Sequence, residues 1–219
     1  MTEELMANDF KAWVDQADMP KGKKKVIMAG LKLFSEKGFE GTSTQEIATE
    51  SGMSQATIFK YFKTKDDLLK FIITPIMENI VPLYVVEFKN ELENKKANLE
   101  DLIKFVVHNR YQFLVDNKEV ALIVLSELLT KEEIKSQFVK MMTSRGPSIV
   151  DTFQKLMDQT GEVRPGLTPI EIMRLVVSQI LIYFIQNYKI FPGRKETDVE
   201  KDLQVIETMI INAIRKPTN

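Results

Sequence analysis

The sequence predicts an all-α fold. Apolar residues recur at helical spacing along almost the whole 219-residue chain, and no segment shows a convincing strand-like alternation of apolar and polar residues. Helix start signals of the form Ser/Thr-x-x-Glu recur as well, and in these a hydroxyl and a carboxylate satisfy free backbone N–H groups. They begin at Ser43, Thr130, Thr168 and Thr197. Periodicity and start signals together favour a chain built from helices.

The predicted helices follow these signals in chain order. They are a short amphipathic helix near the N-terminus, then 24–37, 44–51, 55–61, a long helix after Thr64, and 99–116, 118–129, 131–144, 147–160, 169–190 and 198–215. Pro75 and Pro82 each remove a backbone hydrogen bond, so we expect them to bend or break the long helix.

Three regions are expected. Residues 1–20 form an N-terminal amphipathic helical extension, residues 21–74 a three-helix domain, and residues 75–219 a larger α-helical domain. The extension carries Phe10 and Trp13 on one side. It is short and mostly acidic, so we expect it to pack on protein, with contact to a membrane surface as the alternative.

Composition indicates a soluble globular protein, with 44% hydrophobic and 28% charged residues. The absence of cysteine excludes disulfides and thiolate chemistry. The N-terminal residues lack the basic start and apolar run of a signal peptide, and the longest apolar run, 180–185, is shorter than the ~20 residues of a membrane span. We therefore expect a cytoplasmic protein without a membrane partner.

Charge is distributed unevenly. The whole chain has a net charge of −1, whereas Lys21 to Lys65 holds nine lysines and four glutamates, a net charge of +5. A basic end on an acidic body indicates that this end meets an anionic partner. The alternative is a solvated lysine-rich face.

A helix-turn-helix pattern lies within this basic segment. Ala48 is small enough for two helices to approach closely, Gly52 permits a left-handed turn, and Ile58 packs the second helix on the first. The predicted helices 44–51 and 55–61 flank the turn, and the sequence therefore predicts a DNA-binding motif.

The run from Gly38 to Leu69, GFEGTSTQEIATESGMSQATIFKYFKTKDDLL, resembles the N-terminal DNA-binding domain of TetR-family transcriptional regulators. The matching residues are Gly38, Phe39, Thr42, Ser43, Ile47, Ala48, Gly52, Ser54, Thr57, Tyr61, Phe62, Lys65, Leu68 and Leu69. The resemblance covers roughly residues 24–70, and the remainder matches the family in length and helix content only. It departs at Ala56, where the family often has Gly, and at Phe59, where it often has Tyr.

The resemblance implies a sequence-specific regulator, expected to be a repressor that a small-molecule effector releases from a palindromic double-stranded DNA operator. It places residues 54–61 in the major groove. Gln55 is the main candidate for base readout because its amide can pair with adenine. The expected DNA-binding residues are Thr42, Ser43, Ser54, Gln55, Ala56, Thr57, Lys60, Tyr61 and Lys65, with Lys23, Lys24 and Lys25 as a flexible basic arm.

Several of these residues have alternative structural interpretations. Ser43, Ser54 and Thr57 also suit helix capping, Tyr61 also suits partial burial, and the lysine arm also suits a solvated linker. Phe59 lacks the hydroxyl that would donate to a phosphate, so that family contact is not expected here.

The last two predicted helices are apolar enough to need burial on more than one side. The resemblance implies that they form a four-helix bundle with a second copy, giving a homodimer. The expected dimerisation residues are Val176, Ile180, Phe184, Leu203, Ile206 and Ile210. The alternative is the internal core of a monomer.

Arg110 lies near the centre of an apolar stripe on helix 99–116, and a buried guanidinium needs a partner. That partner is either an internal acid, with Glu127 as candidate, or an anionic effector with an apolar tail. The expected ligand-binding residues are Arg110, Phe113, Glu127, Met141 and Met173. His108 lies away from the stripe and is expected to be exposed.

An enzyme is the main rival class. One histidine, no cysteine and no phosphate-binding glycine loop leave few means of catalysis. We predict no catalytic residue, no cofactor and no metal site. A ligand-binding or protein-interaction module that has lost DNA binding is the second rival.

Overall fold

The computed structural model of the chain describes residues 6–94 and 98–217, so residues 1–5 of the predicted extension lie outside the described residues. Its α-helices are α1 (Met6–Gln16), α2 (Lys21–Lys37), α3 (Thr44–Ser51), α4 (Gln55–Tyr61), α5 (Lys65–Pro75), α6 (Val81–Glu93), α7 (Leu99–Asp116), α8 (Lys118–Leu128), α9 (Glu132–Thr160), α10 (Pro169–Ile185) and α11 (Glu196–Ile214). The only β pairing in the described part is an isolated bridge between Val163 and Arg215. The all-α prediction is confirmed.

The chain divides into two compact units. The first comprises Met1–Tyr84 and Asp116–Ser144, and the second comprises Val85–Val115 and Arg145–Asn219. The predicted boundary near Pro75 therefore needs correction, because α8 packs on α2 and brings the middle of the chain into the first unit. Contacts between residues distant in sequence decide this division.

The first unit is built around α2. Its apolar side packs on α3, α4, α5 and α8. Gly30 allows the close approach of α5, since a Cβ atom at this position would lie 2.8 Å from Cδ2 of Leu68. The fully buried side chains of this core include Val26, Ile27, Phe34, Ile47, Leu68, Leu69, Ile72 and Ile73.

Two of the four predicted capping boxes form. Ser43 with Glu46 starts α3, and Thr168 with Glu171 starts α10. Thr130 instead belongs to the end of α8, where its hydroxyl donates to the carbonyl oxygen of Ser126. Thr197 lies inside α11, which begins after Lys195.

A further box, which sequence reasoning missed, starts α5. The side chains of Thr64 and Asp67 satisfy one another's backbone N–H groups there. The signal in the sequence is Thr-x-x-Asp, in which the shorter aspartate takes the place of the glutamate in Ser/Thr-x-x-Glu.

Prolines act differently at different positions. Pro75 ends α5 and is followed by a π-helical turn, Ile76–Ile80, before α6 begins at Val81, so the expected bend takes the form of a change in helix type. Pro147, by contrast, lies inside a continuous α9, where two helices were predicted. A proline removes one backbone hydrogen bond, which a helix of 29 residues tolerates.

The second unit contains α7, α10 and α11 with a second π-helical turn, Gln186–Ile190. Its core includes Leu102, Ile103, Val107, Val176, Ile180, Phe184, Ile206, Ile210 and Ile214. By length and composition alone, Lys65–Glu93 and Pro169–Ile190 are apolar enough to cross a membrane, contrary to the sequence analysis. Core helices of soluble proteins meet the same criterion.

Candidate nucleic-acid interface

The helix-turn-helix forms as predicted. Gly52 adopts the left-handed conformation, with φ 66° and ψ 25°, and ends α3. The backbone N–H of Met53 donates to the carbonyl oxygen of Ala48 over 3.0 Å, which closes the turn. Ala48 and Ile58 are both buried, so the small residue and the branched residue lie where two tightly packed helices require them.

The loop before α3 is held by Thr42 and Lys65. Thr42 is 1% exposed, and its hydroxyl donates to the carbonyl oxygens of Gly38 at 2.8 Å and Leu33 at 3.2 Å. The predicted DNA contact by Thr42 is therefore wrong, because its side chain does not reach the surface. The ammonium of Lys65 donates to the carbonyl oxygens of Phe39 at 2.7 Å and of Thr42 at 2.8 Å. These bonds use two of the three ammonium donors, so Lys65 has a structural role in the loop and its phosphate contact stays a prediction.

The two glutamates of α3 are paired with lysines of α2. Lys37 lies 2.6 Å from Glu46, and Lys32 lies 2.7 Å from Glu50. The hydrogen bond from Lys37, followed by those from Ser43, lowers the pKa of Glu46 to about 2. These pairs reduce the negative charge that α3 presents to a polyanion.

Polar side chains at the start of α4 bind one another. The hydroxyl of Ser54 accepts from the backbone N–H of Thr57 at 3.1 Å and lies 2.9 Å from the Thr57 hydroxyl. The amide of Gln55 donates to the hydroxyl of Thr44 over 3.4 Å. Capping is thus one role of Ser43, Ser54 and Thr57, as the alternative interpretation proposed, and base contacts by these residues and Gln55 stay predictions.

The outer face of α4 is formed by Ala56, Phe59 and Lys60, all of which are exposed. The exposed fraction of Phe59 is 48%, which is high for a phenylalanine within a helix. The sequence-based expectation for Phe59 concerned only the hydroxyl that it lacks. The helical spacing of Ala56 and Phe59 was the signal that could have found this apolar face.

Tyr61 lies on the inner side of α4. It is half-buried, and a Cβ atom at Gly22 would lie 3.0 Å from its hydroxyl oxygen. Partial burial against the start of α2 therefore describes Tyr61, and its phosphate contact stays a prediction.

The lysines before α2 do not form a flexible arm. Helix α2 begins at Lys21, three residues before the predicted start, so Lys23, Lys24 and Lys25 are all helical. The Lys23 ammonium lies over the ring of Phe71, 4.3 Å from its centroid, and the Lys24 ammonium donates to the backbone carbonyl of Asp15. Of the three, only Lys25 is exposed.

Helix α1 contacts this start of α2 through the bond from Lys24 to Asp15. It packs on α2 and on the π-helical turn Ile76–Ile80, with Phe10 and Val14 buried. The Trp13 ring lies 5.9 Å from that of Phe71 and 5.8 Å from that of Phe10. The extension thus packs on the first unit of its own chain.

Arg110 lies in the second unit between aromatic rings. Its guanidinium is 3.8 Å from the ring centroid of Phe88 and 5.0 Å from that of Phe113. Its Nε and Nη2 groups donate to Oδ1 of Asn109, whose amide donates to Glu91 over 2.8 Å. Burial lowers the pKa of Arg110 to about 10, against the opposing effect of the Glu91 charge.

The other predicted ligand-binding residues divide between the units. Met173 is half-buried in the second unit, whereas Glu127 and Met141 belong to the first. The carboxylate of Glu127, which is buried, accepts from the hydroxyl of Ser126 over 3.0 Å. The expected exposure of His108 is wrong, because its Nε2 lies 2.6 Å from the carboxylate of Glu207 and the side chain is half-buried.

The residues predicted for dimerisation are core residues. Val176, Ile180, Phe184, Leu203, Ile206 and Ile210 are all buried within the second unit. This corrects the prediction, because side chains covered by their own chain cannot contact a second one. The exposed apolar residues of the same helices include Val177 and Ile182 on α10 and Val205 and Met209 on α11.

Comparison with known proteins agrees with this geometry. Residues 26–72 match the family described as bacterial regulatory proteins, tetR family. The uncharacterized HTH-type transcriptional regulator YerO of Bacillus subtilis is 28% identical over 190 residues, which cover 84% of this chain and 61% of that protein.

Two solved structures share the fold over most of their length. The ketosteroid transcriptional regulator KstR2 of Mycobacterium tuberculosis has a TM-score of 0.63 and 14% identity, covering 92% of this chain and 98% of that one. FadR of Bacillus subtilis, in complex with stearoyl-CoA, has a TM-score of 0.54 and 16% identity, covering 89% and 98%.

Proposed function

The chain belongs to the TetR family of transcriptional regulators, and on that premise we propose that it is a homodimeric repressor released from a palindromic operator by an anionic effector. The observation that carries the proposal is the α3–Gly52–α4 motif with the outer face of α4 exposed. In a helix-turn-helix this second helix enters the major groove. The proposal places the protein in the cytoplasm and assigns it no enzymatic activity.

Charge supports DNA binding by this face. The acids of α3 are paired with Lys32 and Lys37, while Lys25, Lys60 and Lys63 remain exposed in the same unit. Exposed lysines on the reading helix and elsewhere in the unit attract the phosphate backbone and leave base contacts to the groove-facing side chains.

Exposed apolar residues on the last two helices support a dimer. Val177 and Ile182 on α10 are 54% and 55% exposed, and Val205 and Met209 on α11 are 57% and 54% exposed. Large apolar side chains that are exposed on two helices packed together suit an interaction surface. A two-fold dimer built on this surface presents two copies of α4, which suits a palindrome.

Arg110 supports an anionic effector. Its flat faces lie against Phe88 and Phe113, and its described hydrogen bonds go to the neutral amide of Asn109. A carboxylate or phosphate would give this desolvated cation a direct charged partner, whereas Glu91 is linked to it through Asn109, and the surrounding rings would suit an apolar tail. FadR, which shares the fold, holds stearoyl-CoA, a molecule of this class.

Release requires an effector that favours a conformation unsuited to the operator. Two states of the dimer, one binding DNA better and one binding effector better, are sufficient. Reciprocity follows, so the effector must bind the free protein more tightly than the DNA-bound protein.

The first test is selection of duplexes from a random double-stranded pool by the purified full chain. We expect enrichment of a palindrome, binding that weakens with salt, and a dimer in sedimentation. A protein that enriches no sequence would contradict operator recognition and favour a module that has lost DNA binding. A monomer at micromolar concentration would contradict the dimer.

The second test adds palmitate or stearoyl-CoA to the selected complex. We expect one of these to weaken DNA binding by the native protein, and Arg110→Met to remove that response while preserving DNA binding. Arg145→Met, which changes an exposed arginine of the same unit, is the matched control. Equal responses of both variants would contradict the role of Arg110.

A further inference from the structure

Phe59 is exposed on the face of α4 that points away from the protein. Ile58 of the same helix and Phe62, which follows the helix, are instead buried in the core of the unit. The exposed ring is therefore not needed to pack α4 against its own domain. Burial of such a ring in a complex would remove its apolar surface from water, which is favourable.

Ala56 lies on the same face, three residues before Phe59. Residues three apart on a helix are neighbours, so the methyl group of Ala56 and the ring of Phe59 form one apolar surface. Lys60, the charged residue beside them, lies one residue later.

The polar residues at the start of α4 each have a partner within the protein. Ser54 and Thr57 bind one another at the helix start, and Gln55 donates to Thr44 of α3. The exposed residues of α4 itself are Ala56, Phe59 and Lys60, which are two apolar side chains and one ammonium.

Thymine is the base that an apolar surface can recognise in the major groove, because it carries a 5-methyl group there. We propose that Phe59, together with Ala56, reads thymine methyl groups in each operator half-site, so that α4 recognises sequence mainly through apolar contacts. This inference rests on the proposed DNA-binding function and names the chemical group on the bases that the recognition helix binds.

The side-chain chemistry supports this assignment over a phosphate contact. A phenylalanine ring has no donor for a phosphate oxygen. Its burial against a methyl group is favourable. Its burial against a charged phosphate would remove water from the phosphate without replacing the lost hydrogen bonds. Lys60 is the residue of this face suited to the backbone.

The experiment uses the duplex that the native protein selects from a random pool. Each thymine is replaced in turn by deoxyuridine, which lacks only the 5-methyl group, and binding is titrated with the native protein, Phe59→Ala and Phe59→Tyr. The thermal unfolding midpoint of each variant verifies that it folds, which the exposure of Phe59 leads us to expect.

We expect deoxyuridine at one or two positions per half-site to weaken binding by the native protein about 3–5-fold, as loss of one buried methyl group predicts. Phe59→Ala should weaken binding to the parent duplex about tenfold and lose the discrimination at those positions. Phe59→Tyr, which retains the ring, should retain the discrimination.

Two results would overturn the inference alone. One is a native protein that selects a sequence yet tolerates deoxyuridine at every position. The other is a Phe59→Ala variant that weakens all duplexes equally and keeps the discrimination, which would assign the methyl contacts to another residue. Failure to select any sequence would instead overturn the proposed function, and this inference with it.

Discussion

The ammonium group of Lys65 donates a hydrogen bond of 2.7 Å to the carbonyl oxygen of Phe39 and lies 4.1 Å from the centroid of the same residue's ring. Lys131, from the segment between α8 and α9, lies 4.0 Å from that ring centroid and pairs with Asp66 at 2.6 Å. Phe39 thus joins the loop before α3 to the start of α5 and to the α8–α9 segment.

Replacing Lys65 with Met should destabilise the first unit. Its two hydrogen bonds to loop carbonyls are charge-assisted, so we expect a loss of about 1.5–3 kcal/mol in the free energy of unfolding. Chemical denaturation measures this loss. Lys63→Met, at an exposed position two residues earlier, is the control and should leave stability unchanged.

The same two variants distinguish a lysine that stabilises the fold from a lysine that contacts DNA. If Lys63 neutralises a phosphate, Lys63→Met lowers the salt slope of binding by about one unit. An unchanged denaturation midpoint for Lys65→Met would show that the loop does not depend on its ammonium.

The capping box of α3 should make stability depend on acidity. Lys37 and Ser43 lower the pKa of Glu46 from 4.5 to about 2 in the folded protein. Because the folded pKa is the lower one, ionised Glu46 stabilises the fold above pH 4.5, and this contribution is lost as the pH falls from 4.5 towards about 2.

Urea midpoints of the native protein and Glu46→Gln should therefore differ at neutral pH and converge in acid. Added salt should reduce the difference, because Glu46 and Lys37 are both exposed to solvent screening. Glu40→Gln, an exposed glutamate outside the capping box, is the control. A difference that stays constant down to about pH 2 would contradict the linkage.

Helix α1 should be docked through Phe10. This side chain is 2% exposed, and Phe10→Ala should cost about 3–5 kcal/mol of docking free energy. Trp13, the one tryptophan of the chain, reports the docking because it lies against Phe10 and Phe71. Its emission should shift to the red in Phe10→Ala and stay unchanged in Lys11→Ala, at an exposed position of the same helix. Identical spectra for both variants would refute this packing.

The proposed dimer should be broken by charge on the exposed apolar surface of α10 and α11. Val177→Asp or Met209→Asp would bury a carboxylate in the interface, and we expect monomers in sedimentation together with loss of operator binding. Val139→Asp, at an exposed apolar position on α9, is the matched control and should remain dimeric. Dimers in both Val177→Asp and Met209→Asp would assign the interface to another surface.

Local signals in the sequence were sufficient to predict most helices and the helix-turn-helix motif. Periodicity located most helices within a few residues, and Ala48, Gly52 and Ile58 identified the turn, because spacing, size and φ > 0 are properties of a short segment. The same reasoning failed at Pro147, where a long helix tolerates a residue that usually breaks one.

Tertiary structure alone decided which side chains remain available for contact with DNA or with a second copy of the chain. Thr42 and Lys65 match a DNA-binding pattern, yet one is buried and the other binds loop carbonyls supplied by residues 23 and 26 positions away. Val176 and Val177 are adjacent and chemically identical, but one lies in the core and the other faces solvent. Sequence determines the periodicity of a helix, whereas the packing of distant elements determines which of its faces is covered. In this protein that difference moves the predicted DNA contact from Thr42 to Phe59 and the predicted dimer contact from Val176 to Val177.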